Sequence, residues 1–207
     1  MARTAEPGRR DAILDAAHTV FARKGYAAAG IADLAVELGI GHGTVYRYFG
    51  NKRDVASAVL DRALGRIAEV VAAELPDATE TLDEYRAQVW RIGHRLYELF
   101  AADPALGRLV FFDLATVDDD LRGRHRDALE RFADFTAAYL SNGVERGFLR
   151  PDLDIEVTAR VVNGMVFEGA AQVARNPRAL ELRDAWIRAV VTLMFDGLAA
   201  PTPGKDS

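Results

Sequence analysis

The sequence predicts an all-α protein of about nine helices: a small three-helix unit over residues 1–53 with helix-turn-helix spacing, then a six-helix body over residues 54–207. Three observations predict this. Apolar residues recur at helical spacing almost throughout. No run of strict alternation is bounded by hairpin turns. Breakers at Pro76-Asp77, Asp103-Pro104, Val117 to Asp120, Gly147 to Asp154 and Asn176-Pro177 cut the body into segments of helical length.

The first helix should begin after Pro7-Gly8, carry Ile13, Ala17, Val20 and Phe21 on one face, and stop at Gly25, where glycine takes the left-handed conformation easily. The second has Ile31, Leu34, Ala35 and Leu38 as its apolar stripe, Gly30 as N-cap and Gly39 as its end. The third runs from about His42 to Phe49 and buries Val45 and Phe49. Asn51 then caps a long fourth helix, with Asp54 supporting its first turn. Counting the helix that begins at Lys52, the body has six. The stretch Ile155 to Ala174 is apolar on nearly every side apart from Arg160, Asn163 and Glu168, and Leu182 to Leu198 is similarly broad. A helix apolar all round must be covered all round. This predicts a two-fold dimer built from Asp154 to Ala174 and Leu180 to Leu198 as a four-helix bundle, with Val161, Gly164, Met165, Val190 and Met194 as candidate contacts.

Half of the 207 residues are apolar, enough for a sizeable core, while Met1 to Gly8 and Ala199 to Ser207 have the composition of loose ends. There is no cysteine, which excludes disulfides, thiolate metal sites and a cysteine nucleophile. The N-terminus lacks a stretch of signal-peptide length, and no later window approaches a membrane span, so a cytoplasmic protein is expected. Up to Arg53, eight basic residues face five acidic ones, a net of +3; the total of −5 leaves −8 for the rest. A basic head on an acidic body suits a protein whose head alone meets a polyanion. Lysine occurs only at positions 24, 52 and 205, and all other basic side chains are arginine.

With Ile31 as the first residue of a helix-turn-helix, Ala35 is the fifth and Gly39 the ninth. The two helices cross so closely that the fifth position tolerates only a small side chain, and the sharp turn favours glycine. The run Gly25-Tyr26, Ile31-Ala32-Asp33-Leu34-Ala35, Gly39-Ile40, Gly43-Thr44-Val45-Tyr46-Arg47-Tyr48-Phe49 and Asn51-Lys52 resembles the DNA-binding domain of the TetR (tetracycline-repressor-like) family over about residues 9–60. Glu145 to Asp152 also resembles a loop of many such proteins.

The resemblance implies a ligand-binding and dimerisation role for the body. It also implies a repressor that grips palindromic double-stranded operator DNA as a homodimer and is released by a small effector; the aromatic-rich body suits a largely apolar one, and no cofactor or metal is expected. On this reading His42, Gly43, Thr44 and Arg47 face base edges, and Tyr46, Tyr48 and Lys52 contact phosphate. The chemistry agrees: arginine pairs bidentately with guanine, threonine bonds or touches a thymine methyl, and lysine adds charge to a positive helix N-terminus. Glycine stands at positions 30 and 41, where the family usually has a hydroxyl that caps a helix and touches phosphate, so Arg9, Arg10 and backbone amides should carry more of the affinity. Alternatively Tyr46 and Tyr48 are rim packing, Arg47 a solvated charge and His42 a tolerated polar residue.

In the body, Trp90, His94 and Tyr97 form a stripe at i, i+4, i+7; Phe111 and Phe112 follow, Phe132, Phe135 and Tyr139 repeat the spacing, and Asn163 and Phe167 come from the penultimate helix. Trp90, His94, Tyr97, Phe112, Phe132, Phe135, Tyr139, Asn163 and Phe167 are the candidate pocket; the alternative is a filled core. His94 and Asn163 are the informative members, because a polar group on an apolar face needs a partner or a ligand. An enzyme is the competing class, using Asp113, Glu168 or His94. The four histidines make no zinc pair on one helix, and none of the three serines sits in a nucleophile elbow, so no catalytic residue is assigned. A third class, a protein that coats DNA without a ligand, is disfavoured by the aromatic-rich body.

Overall fold

The computed structural model describes residues 8–114, 117–176, 181 and 183–196. The expected loose ends, apart from Gly8, and positions 180, 182, 197 and 198 of the expected dimer segment lie outside the described residues. Among the described residues there are nine α-helices and no strand: α1 (Arg9–Lys24), α2 (Ile31–Leu38), α3 (His42–Tyr46), α4 (Lys52–Ala72), α5 (Leu82–Ala102), α6 (Pro104–Arg108), α7 (Asp119–Glu145), α8 (Ile155–Arg175) and α9 (Arg183–Phe195). None is long and apolar enough to cross a membrane.

Local chemistry sets the helix ends. Gly25 and Gly39 close α1 and α2 at φ of 77° and 63°, a region that side chains with a Cβ disfavour. Asn51 caps α4 by accepting from the Asp54 amide at 3.0 Å, and Thr81 with Glu84 forms a capping box at the start of α5. Asp118 and Asp154 cap α7 and α8. The third helix is shorter than expected. It ends at Tyr46, and Arg47 and Tyr48 follow in a turn where Arg47 N reaches back only to Thr44 O, at 3.3 Å. Beyond α6 the chain runs on as a π-helical turn over Leu109–Asp113, feeding Leu109 and Val110 into the core.

That core is continuous across residue 53. Ile13, Val20 and Phe21 of α1 meet Leu34 of α2, Val45 of α3 and Val55 and Leu60 of α4, and the same cluster continues to Phe100, Leu106, Leu121 and Phe132. Ile13 and Phe21 have no exposed surface, and burying each contributes about 2 kcal/mol. A smaller cluster of Tyr85, Tyr139, Leu140 and Ala159 closes the far end.

One carboxylate ties the N-terminal helix to the rest. Asp103, the N-cap of α6, accepts from the Leu106 amide at 3.1 Å, from His18 Nε2 of α1 at 3.0 Å and from Arg66 of α4 at 2.6 Å. Burial alone would raise its pKa, but the hydrogen bonds from His18 and Arg66, with the charge and amide beside them, outweigh burial and bring it down to about 2. A carboxyl depressed below its unfolded value of 3.8 stabilises the fold fully above that value and loses the contribution as pH falls toward 2. Asp103→Asn should therefore cost on the order of 2 kcal/mol at pH 7. Denaturant titrations should show wild type and variant converging between about pH 4 and pH 2; a gap that persists unchanged to the acid end would show that Asp103 acts by shape rather than charge.

Candidate DNA-reading surface and internal cavity

The surface around α3 is built from side chains the core cannot use. Val45 points inward and is fully buried, which turns His42, Gly43, Tyr46 and Arg47 outward, with Thr44 half-buried beside them. Tyr46 is 55% exposed, a large share for an aromatic ring. Arg47 is exposed and makes no ion pair among the described residues, whereas Arg23 and Lys24 are paired with Glu37 at 2.8 Å and Asp33 at 2.6 Å. Those pairs neutralise acids that would otherwise repel a polyanion. Tyr48 is half-buried and packs against the core. A shallow groove runs from Gly30 and Ala32 of α2 past His42 and Tyr46 to Asn51 and Lys52.

The three basic residues expected at phosphate each have a partner within the chain. Lys52 donates from Nζ to the carbonyls of Tyr26 and Ala29, each at 2.8 Å, and of Ala27 at 3.4 Å, and lies 4.2 Å from the centre of the Tyr26 ring. An ammonium has three protons. All three are engaged, so the expected phosphate ligand instead clips the α1–α2 connection to the start of α4. Arg10 stands over the Phe49 ring at 5.1 Å with its guanidinium exposed, and Arg9 is half-buried and engaged. Glycine is retained as N-cap of α2 and α3 without side-chain capping; at Gly30 the Asp33 carboxylate accepts from the amide at 2.8 Å instead.

Sequence reasoning missed two long-range links. One is the Asp103 cluster. The other is Arg53, at the start of α4, paired with Asp118 at 2.8 Å and with Asp120 at 3.7 Å. Neither has a local signal, because the partners are separated by tens of residues.

Between α4, α5, α7, α8 and α9 lies a partly open cavity of about 120 Å³. Of the residues expected to line it, Tyr97, Phe132, Tyr139, Asn163 and Phe167 do. Trp90, His94, Phe112 and Phe135 do not. Trp90 and His94 stack on each other with ring centres 5.0 Å apart, and His94 Nε2 is 4.0 Å from Asp184. Phe112 lies beneath the Arg175 guanidinium at 4.7 Å, and Phe135 is 37% exposed. The reason is geometric. A helix packed on two sides has two apolar stripes, and spacing cannot say which one faces the void.

The wall also contains residues assigned to the dimer seam. Val190 and Met194 line the cavity, so they belong to the inner side of α9. Val161 and Gly164 stay exposed on α8 and Met165 half-buried, joined by two residues that were not anticipated, Val157 at 56% and Leu193 of α9 at 40% exposure. Trp186, also on the wall, seats its indole against Gly169, where its ring leaves no room for a Cβ; only glycine admits this approach.

Comparison with known proteins follows the same division. The profile of bacterial regulatory proteins, tetR family, matches residues 13–59, and that of the tetracyclin repressor-like C-terminal domain matches residues 88–198. The chain is 22% identical over 186 residues to the fatty acid metabolism regulator protein of Bacillus subtilis, covering 90% of this chain and 93% of that one. It is 26% identical over 208 residues to the HTH-type transcriptional repressor KstR2 of Rhodococcus jostii, covering 94% and 93%. Among solved structures, the regulator FadR from Bacillus subtilis in complex with stearoyl-CoA shares the fold with a TM-score of 0.76 at 21% identity, covering 92% of this chain and all of that one. With both profiles matched in order and the helices arranged as described, the chain belongs to the tetR family of bacterial regulatory proteins and is a ligand-responsive, DNA-binding transcriptional regulator rather than an enzyme.

Proposed function

We propose that the protein is a cytoplasmic repressor that holds a palindromic operator as a two-fold dimer and lets go when an apolar effector enters the cavity behind α5 and α8. Residues 1–53 form the reading head and residues 54–207 the sensing body. The observation that carries this reading is the pairing of an uncommitted recognition surface with a partly open apolar cavity in one continuous core. His42, Gly43, Thr44 and Arg47 read bases, while Tyr46, Tyr48, Arg9 and Arg10 hold phosphates. Effector and operator are linked reciprocally, each weakening the other by one factor.

An acyl thioester is the effector class we infer, supported by the stearoyl-CoA bound to the structural relative. At about 120 Å³ the cavity is well below the roughly 300 Å³ of ordinary ligand sites. It receives a long chain only if its walls part, and that movement is what the head would sense. Release follows when the heads no longer match successive major grooves, roughly 34 to 36 Å apart. The dimer seam is assigned to the exposed stripe Val157, Val161 and Gly164 of α8 with Leu193 of α9; Met165 flanks it.

Genomic footprinting should give discrete palindromic sites, and stearoyl-CoA added in a mobility-shift assay should release them; uniform coverage of DNA, or release by coenzyme A alone, would refute the proposal. Arg47→Ala should cost about 1 to 3 kcal/mol on the operator and much less on random DNA, whereas equal losses on both would make Arg47 a phosphate ligand. Lys52→Ala should weaken binding to all DNA and lower the melting temperature while leaving the salt slope unchanged; a slope smaller by about one unit would mean that its ammonium reaches phosphate after all. Val161→Arg should yield monomers by light scattering at micromolar concentration, and an undisturbed dimer would move the seam elsewhere.

A further inference from the structure

The cavity wall carries the polar side chains of Tyr85, Tyr97, Thr136, Tyr139, Asn163 and Trp186. Tyr139 donates its hydroxyl to the carbonyls of Glu74 at 2.6 Å and Val71 at 3.1 Å. Trp186 donates its indole N–H to Met165 O at 3.3 Å. Thr136 donates to Asn163 Oδ1 at 2.8 Å, with the amide nitrogen on the other side. Asn163 Nδ2 is sealed from solvent and has no partner. Gln88, His94 and His125 also carry unpartnered buried atoms, but none of them belongs to the cavity wall. A buried donor without an acceptor is destabilising, and the side chains of Val162, Val166, Phe132 and Phe167 on the same wall carry no oxygen to relieve it.

We infer that Asn163 is the specificity-determining residue of the cavity: its Nδ2 selects ligands that carry a carbonyl oxygen within an otherwise apolar body, with Thr136 as the positioning residue that holds the amide in register. The inference rests on the reading of this cavity as the effector site and narrows it to a ligand chemistry. A hydrocarbon of the same shape fills the space but leaves the donor unpaired. An alcohol at the same point meets the donor with its oxygen but must also place its own proton, and Asn163 Oδ1 has left for it only the lone pair that Thr136 does not use. A carbonyl satisfies the donor and brings no proton of its own.

The cavity suggests its own probes. With its walls unparted, about 120 Å³ is room for roughly four water-sized groups, the size of a five-membered ring that mimics only the carbonyl-bearing part of an acyl chain. Cyclopentanone and methylenecyclopentane differ only in C=O against C=CH2, and cyclopentanol adds the donor. Binding to the full-length protein is read from Trp186 fluorescence and thermal shift, and the ketone contact from the side-chain amide resonance of Asn163. Cyclopentanone should bind about tenfold more tightly than methylenecyclopentane, as one hydrogen bond would give, and should move the Asn163 amide signal downfield. In the double variant Thr136→Val with Asn163→Leu the preference should vanish, methylenecyclopentane should still bind, and the melting temperature should not fall, because both partners of a buried pair are replaced by apolar groups of similar shape. Equal binding of ketone and isostere to the wild type, or tighter binding of cyclopentanol, overturns the inference and leaves the cavity reading intact. Failure of all three probes to bind overturns the inference, while the cavity reading stands or falls on release of the operator by stearoyl-CoA. A double variant that melts far lower yet keeps the ketone preference makes the Thr136–Asn163 pair purely structural.

Discussion

The carboxylate of Asp103 is the point on which the relation between head and body depends. Three helices meet there, and each supplies a donor: His18 from α1, Arg66 from α4 and the backbone at the start of α6. The side chain is only 20% exposed, so its charge must be matched by those donors rather than by water. Because the same residue caps α6, the position of that helix and the position of α1 are set by one group. On its other side α6 is held close to the body, where a Cβ on Gly107 would lie 3.1 Å from Ala174 of α8 and 3.3 Å from Phe100 of α5. α5 and α8 are walls of the cavity. The chain of contact from wall to α6 to Asp103 to α1 is contiguous and tightly packed, the condition under which a displacement at one end is felt at the other.

What was legible in the sequence was local. The glycines after α1 and α2, the Asn51 cap and the proline-bearing breaks placed nearly every helix, because each of those signals acts within a few residues of itself. The outward set on α3 was legible for the same reason: once Val45 is buried, its neighbours have only one direction left. The end of α3 was misjudged because Phe49 is indeed buried, but from a turn rather than from a helix.

The cavity was half legible. Tyr97, Phe132, Tyr139 and Phe167 were identified from periodicity, yet Trp90 and Phe135 share that periodicity and face elsewhere. Val190 and Met194 show the same ambiguity on α9, where one stripe serves the interior and another, with Leu193, is left exposed. Asn163 was singled out as polar on an apolar face, and that reasoning survives because it concerns the cost of burial and not direction. The long-range ion pairs of Asp103 and Arg53 were invisible, since charge patterning along a chain carries no record of which helix lies opposite.

The scarcity of lysine acquires a meaning once Lys24 and Lys52 are seen in place. In a chain that otherwise uses arginine for its basic residues, Lys24 pins the end of α1 to Asp33 of α2, and Lys52 gathers three carbonyls of the intervening turn. A guanidinium is a flat fork, and its donors all lie in one plane; an ammonium is a tripod whose protons spread in three directions. The carbonyls of Tyr26, Ala27 and Ala29 surround a point, not a plane. The exchange of Lys52 for arginine, which keeps the charge and is usually counted as mild, would leave part of this turn without its donor. Reagents that acylate primary amines would strike at the same weakness, converting a tripod into an amide with a single proton and loosening the connection between α1 and α2.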